Sequence, residues 1–401
     1  MIPRIESSRR RVGRVLGYED ARREAYRRLP RGIFEYIDGG AEDEVTLTRN
    51  LEAFRSLAFR PRMGVSVSTP VLKTRVLGRM LTFPVLVAPC GGMRLVHPEG
   101  DLGVARGAAK VGIVHIASSA SGFSLEDIAA VSGEQWFQLY RFGYRETMEL
   151  LVERAQTAGY GALVVTVDTV VPGYREKDFR NGFSYSMRVN ARNALKLAPQ
   201  LLRRPQWLYG YWRDGMPFDL PNTASMMGRG KALPVTEMGK GSLSSHSPSW
   251  DEIAWIRANW KAPLVIKGIL TTEDARRAAD AGADGVVVSN HGGRQLDGAP
   301  ATIAVLPEIV AAVGDELEIL LDSGVRRGSD VLKALAMGAK AVLVGRLPVW
   351  GLAAGGTDGV VRVLELLRSE MVRTMRLMGC ESVHDLDVSW LTEQVARLGF
   401  P

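Results

Sequence analysis

The stretch "VVVSNHGGRQL" (286–296) sets a histidine and an arginine three positions apart on a pair of glycines, directly after three valines. A histidine at a strand end is the natural proton acceptor near neutral pH, and an arginine beside it offers a planar fork to a carboxylate. His291 and Arg294 therefore read as base and anchor for a small acid. Two residues elsewhere fit the same chemistry. Asp168, closing "ALVVTVD", is a carboxylate able to orient an imidazole and stabilise its cation, and Arg175, in "PGYREKD", is a second arm for the clamp. Lys267, emerging from "PLVIK", would be costly to bury unless it faced something anionic, such as an electron-rich cofactor ring.

A second group of residues points to phosphate. "LDSGVRRGSD" and "LVGR" each end an apolar run in glycine and arginine. Glycines let the backbone come close, the N–H groups of a following helix face an anion, and Arg326 and Arg346 add charge. Neither stretch is a Walker loop, and no G-x-G-x-x-G opens a helix after the first apolar run, so no separate dinucleotide domain is indicated. Of the five histidines, His115 lies inside an apolar run and reads as core. His97, His246 and His384 lack neighbours at metal-ligand spacing, so no metal site is expected.

Eight short apolar runs position these groups: "FPVLVAP", "GIVHIAS", "WFQLY", "ALVVTVD", "PLVIKG", "GVVVSN", "EILLDSG" and "AVLVGR". Amphipathic segments such as "DLGVARGAAK", "RETMELLVERAQTAG" and "TEDARRAADAG" separate them. Strand and helix alternating eight times predict parallel strands buried on both faces and an α/β fold, a (β/α)8 TIM barrel, with a doubly wound open sheet as the alternative. Nearly every run ends in polar residues, and a barrel would gather all eight ends at one mouth. The expected organisation is a single domain over 1–401, with a helical preface over 1–82, the barrel over 83–380 and an insertion in the fourth βα loop over about 176–248. In the preface, "YEDARREAYRRL" and "PRGIFEYIDGGAEDEVTLTRNLEAFRSL" each read as helical. The insertion, with "LLRRPQWLYGYWRDGMPF", reads as a lid, a membrane-facing surface or a plain helical excursion.

Composition narrows the classes. No apolar run is long enough for a membrane-spanning helix, and the basic N-terminus lacks a signal-peptide core. Two cysteines, Cys90 and Cys380, build no disulfide framework, so a cytoplasmic setting is expected. A net charge of +7 favours an anionic substrate, cofactor or membrane face. Nucleic acid is not expected, because no zinc, helix-turn-helix or RNA-binding signature is present.

These stretches resemble the FMN-dependent α-hydroxy acid dehydrogenase/oxidase family, which includes glycolate oxidase and the L-lactate and mandelate dehydrogenases. "SNHGGRQLD" (289–297) is similar to the family's active-site signature, and "YIDGGAEDE", "APCGG", "WFQLY", "TVDT", "GYREKD", "VIKG", "DSGVRRGSD" and "VGR" extend the likeness over roughly 18–380. The resemblance implies FMN as cofactor and assigns roles by position. His291 becomes the base, paired with Asp168; Arg294 and Arg175 hold the substrate carboxylate with the Tyr36 hydroxyl; Tyr140 bonds the substrate oxygen. Lys267 sits near flavin N1, while Ser118, Gln138 and Thr166, with backbone groups at Pro89 and Gly91, bond the ring. Ser289 and Asp322 hold the ribityl chain, and Gly324, Arg326, Gly345 and Arg346 the phosphate. The chain departs from plant glycolate oxidases at Ala120, where they carry tryptophan, Pro172 (leucine) and Ile37 (tyrosine). Gly91 stands where oxidases often carry alanine, a position that the resemblance links to dehydrogenases reacting poorly with oxygen.

The expectation is thus an enzyme that oxidises an (S)-2-hydroxy acid larger than glycolate, L-lactate or mandelate-like, to the 2-keto acid. Electrons would pass to a quinone or another acceptor. Alternatives are an oxidase that makes H2O2, a non-redox FMN barrel isomerase and a non-enzymatic scaffold. The resemblance also implies a homotetramer, and the insertion a peripheral contact on the inner face of the cell membrane.

Overall fold

The computed structural model describes residues 12–393 except 132, 144, 182–197, 216–218, 224–232 and 235–244. The basic N-terminal arm and much of the insertion therefore lie outside the described residues. Eight parallel strands form one sheet: β1 (Val85–Val87), β2 (Ile116–Ser118), β3 (Trp136–Leu139), β4 (Ala162–Thr166), β5 (Leu264–Ile269), β6 (Gly285–Val288), β7 (Glu318–Leu321) and β8 (Ala341–Val344). Each strand pairs with its neighbour in sequence, β8 pairs back onto β1, and a parallel bridge between Val87 and His115 closes β1 onto β2. The ring is a TIM barrel, as the eight runs predict.

The two-residue period of a strand decides which side chains fill it. Leu86, Ile116, Trp136, Val164, Val265, Val287, Leu320 and Leu343 form the interior cluster, while their neighbours, such as Val286 and Val288, pack outward under the helices. Two positions further along six of the strands the same inward direction brings up Ser118, Gln138, Thr166, Lys267, Ser289 and Asp322, all buried. The apolar interior is thus capped at the strands' C-terminal ends by a polar layer. At the other end a hairpin of Thr74–Val76 and Arg79–Leu81 plugs the barrel, with Val76 and Leu81 in the interior cluster.

The preface forms α1 (Tyr18–Arg28), α2 (Arg31–Asp38) and α3 (Val45–Ser56). The second helical run is not continuous, because "GGAEDE" breaks it between α2 and α3. The cause is a close approach. A Cβ on Gly40 would lie 2.8 Å from the Gly293 carbonyl oxygen, and Ala41 N donates to that oxygen at 2.8 Å. Glu42 and Glu44 complete the turn with φ of 46° and 61°. The break thus docks the preface on the His291 loop.

Around the barrel run α4 (Gly100–Lys110), α5 (Leu125–Val131) and α6 (Arg145–Thr157), followed by α7 (Pro205–Arg213) of the insertion. Next come α8 (Trp250–Asn259), α9 (Thr272–Asp280), α10 (Thr302–Val313), α11 (Gly328–Ala336) and the kinked α12 (Arg346–Met378). Side-chain caps start α8, where Ser249 and Glu252 form a capping box, and α9, where Thr271 accepts from Asp274 N. The α7 segment is docked: Trp207 Nε1 donates to Leu95 O at 2.8 Å, and Arg94 pairs with Asp214. Among the described residues no helix is long and apolar enough to cross a membrane.

Candidate active site

The strand ends open into a cavity of about 390 Å³. His291 enters it on backbone in the left-handed region (φ 57°), stabilised by its N–H donating to Ser289 Oγ at 3.1 Å. Its Nδ1 lies 3.0 Å from Asp168 Oδ1 and its Nε2 3.4 Å from the Tyr140 hydroxyl. Asp168 needs the room that Gly268 leaves (φ 114°), since a Cβ there would sit 2.7 Å from Asp168 Cβ. Burial works to raise the Asp168 carboxyl, but His291 and then Lys267 outweigh it and hold it below the usual range.

Arg294 and Arg175 flank Tyr36, their guanidinium carbons 5.0 and 5.8 Å from its ring centroid. Arg294 is held by the carbonyls of Tyr36 and Gly39 at 2.6 and 3.1 Å, and Arg175 by Asp178 at 2.8 Å. All three border the cavity with His291 and Tyr140. Burial pushes both tyrosine hydroxyls up, so each is a neutral hydrogen-bonding group at neutral pH.

Below them Lys267 Nζ meets Asp322 Oδ2 at 2.9 Å and donates to Ser289 Oγ at 2.8 Å. Desolvation pulls the ammonium down, but Asp322 and Asp168 outweigh it and keep Lys267 charged. Ser118 donates to Gln138 Oε1 at 3.0 Å, and Gln138 Nε2 donates to Thr166 Oγ1 at 2.9 Å. Lys267 and Asp322 line the cavity, whereas Ser118, Gln138, Thr166 and Ser289 lie just outside its lining. Pro89, Cys90 and Gly91 border it across the mouth. Burial pushes the Cys90 thiol up to about 11, so it is no thiolate nucleophile.

At the far end of the cavity stand Gly324, Arg326, Gly345 and Arg346. Arg346 donates to the carbonyls of Ile37, Gly292 and Gly39, and Arg326 to that of Val325, rather than to carboxylates. Burial, then repulsion from Arg326 and Arg294, pushes the Arg346 guanidinium down to about 9. Two half-buried arginines that repel each other suit a bound dianion, and the chemistry of this donor set fits a phosphorylated cofactor such as FMN. Among the described residues no cluster could hold a metal ion.

Several further residues support the site. Asn50 of α3 and Asn290 exchange two amide hydrogen bonds of 2.9 and 2.8 Å, and Asn290 Oδ1 also accepts from Gly293 N. Ser323, at φ 71°, accepts from Gly292 N and donates to Asp322. Gln295 Nε2 donates to Asp168 O, and its Oε1 accepts from Gly173 N. Proximity to "SNHGG" could have flagged Asn290 and Gln295, but nothing local marks Asn50.

The model of a family described as FMN-dependent dehydrogenase matches residues 25–393. The L-lactate dehydrogenase of Pectobacterium atrosepticum is 42% identical, over 94% of this chain and 97% of the relative. The L-lactate oxidase of a Nostoc species is 42% identical, over 90% and 94%. The crystal structure of a monotopic membrane protein, (S)-mandelate dehydrogenase, superposes with a TM-score of 0.89 at 40% identity, covering 95% of this chain and all of that one.

Proposed function

Because the chain belongs to the FMN-dependent dehydrogenase family, we propose that it oxidises an (S)-2-hydroxy acid larger than glycolate, with mandelate and L-lactate as the leading candidates. The observation that carries this reading is the convergence of the His291–Asp168 pair, 3.0 Å apart, with Arg175 and Arg294 on either side of Tyr36. Arg175 and Arg294 anchor the substrate carboxylate, the Tyr36 hydroxyl adds a hydrogen bond, and Tyr140 contacts the oxygen on C2. His291 accepts a proton through Nε2 while Asp168, on Nδ1, fixes the tautomer and stabilises the cation. FMN, when bound, would supply the acceptor for the two electrons released. Arg326 and Arg346, with Gly324 and Gly345, would hold its phosphate; Lys267, oriented by Asp322 and Ser289, would supply positive charge to its ring. Ser118, Gln138 and Thr166, which bond one another in the polar layer at the strand ends, would offer hydrogen bonds to the ring, and Pro89 and Gly91 would contribute backbone groups.

Room for a substituent on C2 comes from Gly91 and Ala120, two small residues that pack against each other and both line the cavity. For the acceptor we favour a membrane quinone. Leu202, Tyr209 and Trp212 of the insertion are 72%, 60% and 62% exposed, beside exposed Arg203 and Arg213, a composition suited to an anionic bilayer surface. The test is anaerobic bleaching of the bound flavin by (S)-mandelate, L-lactate and glycolate, then reoxidation by oxygen or a short-chain quinone, with and without anionic vesicles. Bleaching by none of the three acids would overturn the reading, and reoxidation faster by oxygen than by quinone would make the protein an oxidase.

A further inference from the structure

The loop after β2 forms one wall of the substrate pocket. A Cβ on Gly91 would come 3.1 Å from Ala120 Cβ and 3.2 Å from its carbonyl oxygen, and that oxygen accepts from Gly92 N at 3.3 Å. Ala120 therefore packs on the Gly91–Gly92 segment, and since both line the cavity, a shift of Ala120 moves that wall. From the barrel side the loop is held at its start: Ser118 Oγ accepts from Ala120 N at 3.1 Å, and Ser119 Oγ from Tyr140 N at 3.0 Å.

From the outer side the loop is held by the insertion. Asn222, in a short turn (Pro221–Thr223), is only 1% exposed. Its Oδ1 accepts from Leu125 N at 2.9 Å, and its Nδ2 donates to Phe123 O at 3.3 Å and Ser119 O at 3.5 Å. One amide thus ties the beginning of the loop to its end and supplies a partner to the first N–H of α5. Arg94 adds a second tie: it pairs with Asp214 of the insertion, donates to Gly122 O at 3.3 Å and lies 4.4 Å from the Phe123 ring centroid. Removing a buried amide with three backbone partners leaves those groups unpaired and loosens the segment it spans.

We infer that Asn222 is a specificity-determining positioning residue, through which the insertion fixes the Ser119–Leu125 loop and so the pocket wall at Ala120. Asn222 borders neither the cavity nor the His291–Asp168 pair, so its effect falls on the substrate's C2 substituent and not on proton transfer. The inference rests on the reading of the cavity as a 2-hydroxy acid site.

The test uses the FMN-loaded full chain carrying Asn222→Ala, with L-lactate and (S)-mandelate as substrates. The ratio of kcat/KM for mandelate over lactate falls about tenfold, through the KM for mandelate, while kcat for each acid and the pH profile stay near wild type. Flavin difference spectra with unreactive ligands give a second readout: the Kd for phenylacetate rises and that for oxalate does not. An unchanged ratio, or an equal loss for both acids and both ligands, overturns the inference. If Asn222→Ala does not accumulate with FMN, Asn222→Asp decides by the same criteria, since it keeps the acceptor for Leu125 N and loses both donor bonds. If none of (S)-mandelate, L-lactate and glycolate bleaches the wild-type flavin, the hydroxy-acid reading fails, and the two unreactive ligands still decide the role of Asn222.

Discussion

Replacing Asp168 by asparagine keeps the shape of the site and removes the charge that faces His291. The two groups are 3.0 Å apart, with side chains 12% and 21% exposed. Unit charges at that distance attract by about 5 kcal/mol at an effective dielectric of 20, an upper bound on what the carboxylate gives the imidazolium formed in the reaction. The asparagine oxygen can still accept from Nδ1, so about 3–5 kcal/mol is lost from the transition state. At 1.36 kcal/mol per decade, flavin reduction slows by about 10² to 10⁴. The assay is anaerobic stopped-flow bleaching at 450 nm (approximate, as for flavins generally) under saturating substrate, with FMN content checked by absorbance. FMN occupancy stays at wild-type level, because Asp168 lies outside the cavity lining. A bound-flavin reduction rate within about fivefold of wild type would refute the electrostatic role assigned to the pair.

Stripping FMN and adding inorganic phosphate at a hundredfold over its Kd stabilises the protein by about 2.7 kcal/mol, and Arg346→Gln abolishes the effect in a thermal-shift measurement. His115 is fully buried, and burial pushes its imidazole from 6.5 down to about 4. Between those values the unfolded chain binds a proton that the folded chain refuses, so stability falls as pH drops through the window. His115→Gln removes this contribution, and the stability gap between wild type and variant shifts by about 3 kcal/mol between pH 7 and pH 4 in denaturant titrations. Asn50→Ala leaves Asn290 without two of its bonds, lowers stability by about 2 kcal/mol and slows flavin reduction by loosening the His291 loop. A variant with unchanged stability and rate would show that the amide pair does not position the loop.

Much of this protein is legible without coordinates. Strands and helices announce themselves locally, because a buried parallel strand needs a run such as Val286–Val288 and a surface helix needs one apolar stripe. Eight runs ending in polar residues were therefore enough for a barrel with its site at the strand ends, and His291 and Arg294 lie close enough in sequence to be read as a unit. Register followed as well, since a period of two carries Lys267 and Ser289 inward above Val265 and Val287.

What the tertiary structure alone decided are contacts between residues far apart in the chain. Asn50 reaches Asn290 across 240 positions, and Gln295 holds the backbone of Asp168 across 127. The break at Gly39–Gly40, inside a run with helical composition, exists because the Gly293 carbonyl must come within bonding distance. Ser118, Gln138 and Thr166 bond one another just behind the cavity lining, and Asn222 reaches back from the insertion to tie the loop of Ala120. Hydrogen bonds act over about 3 Å and carry no period along the chain, so only the closed barrel brings their donors and acceptors together.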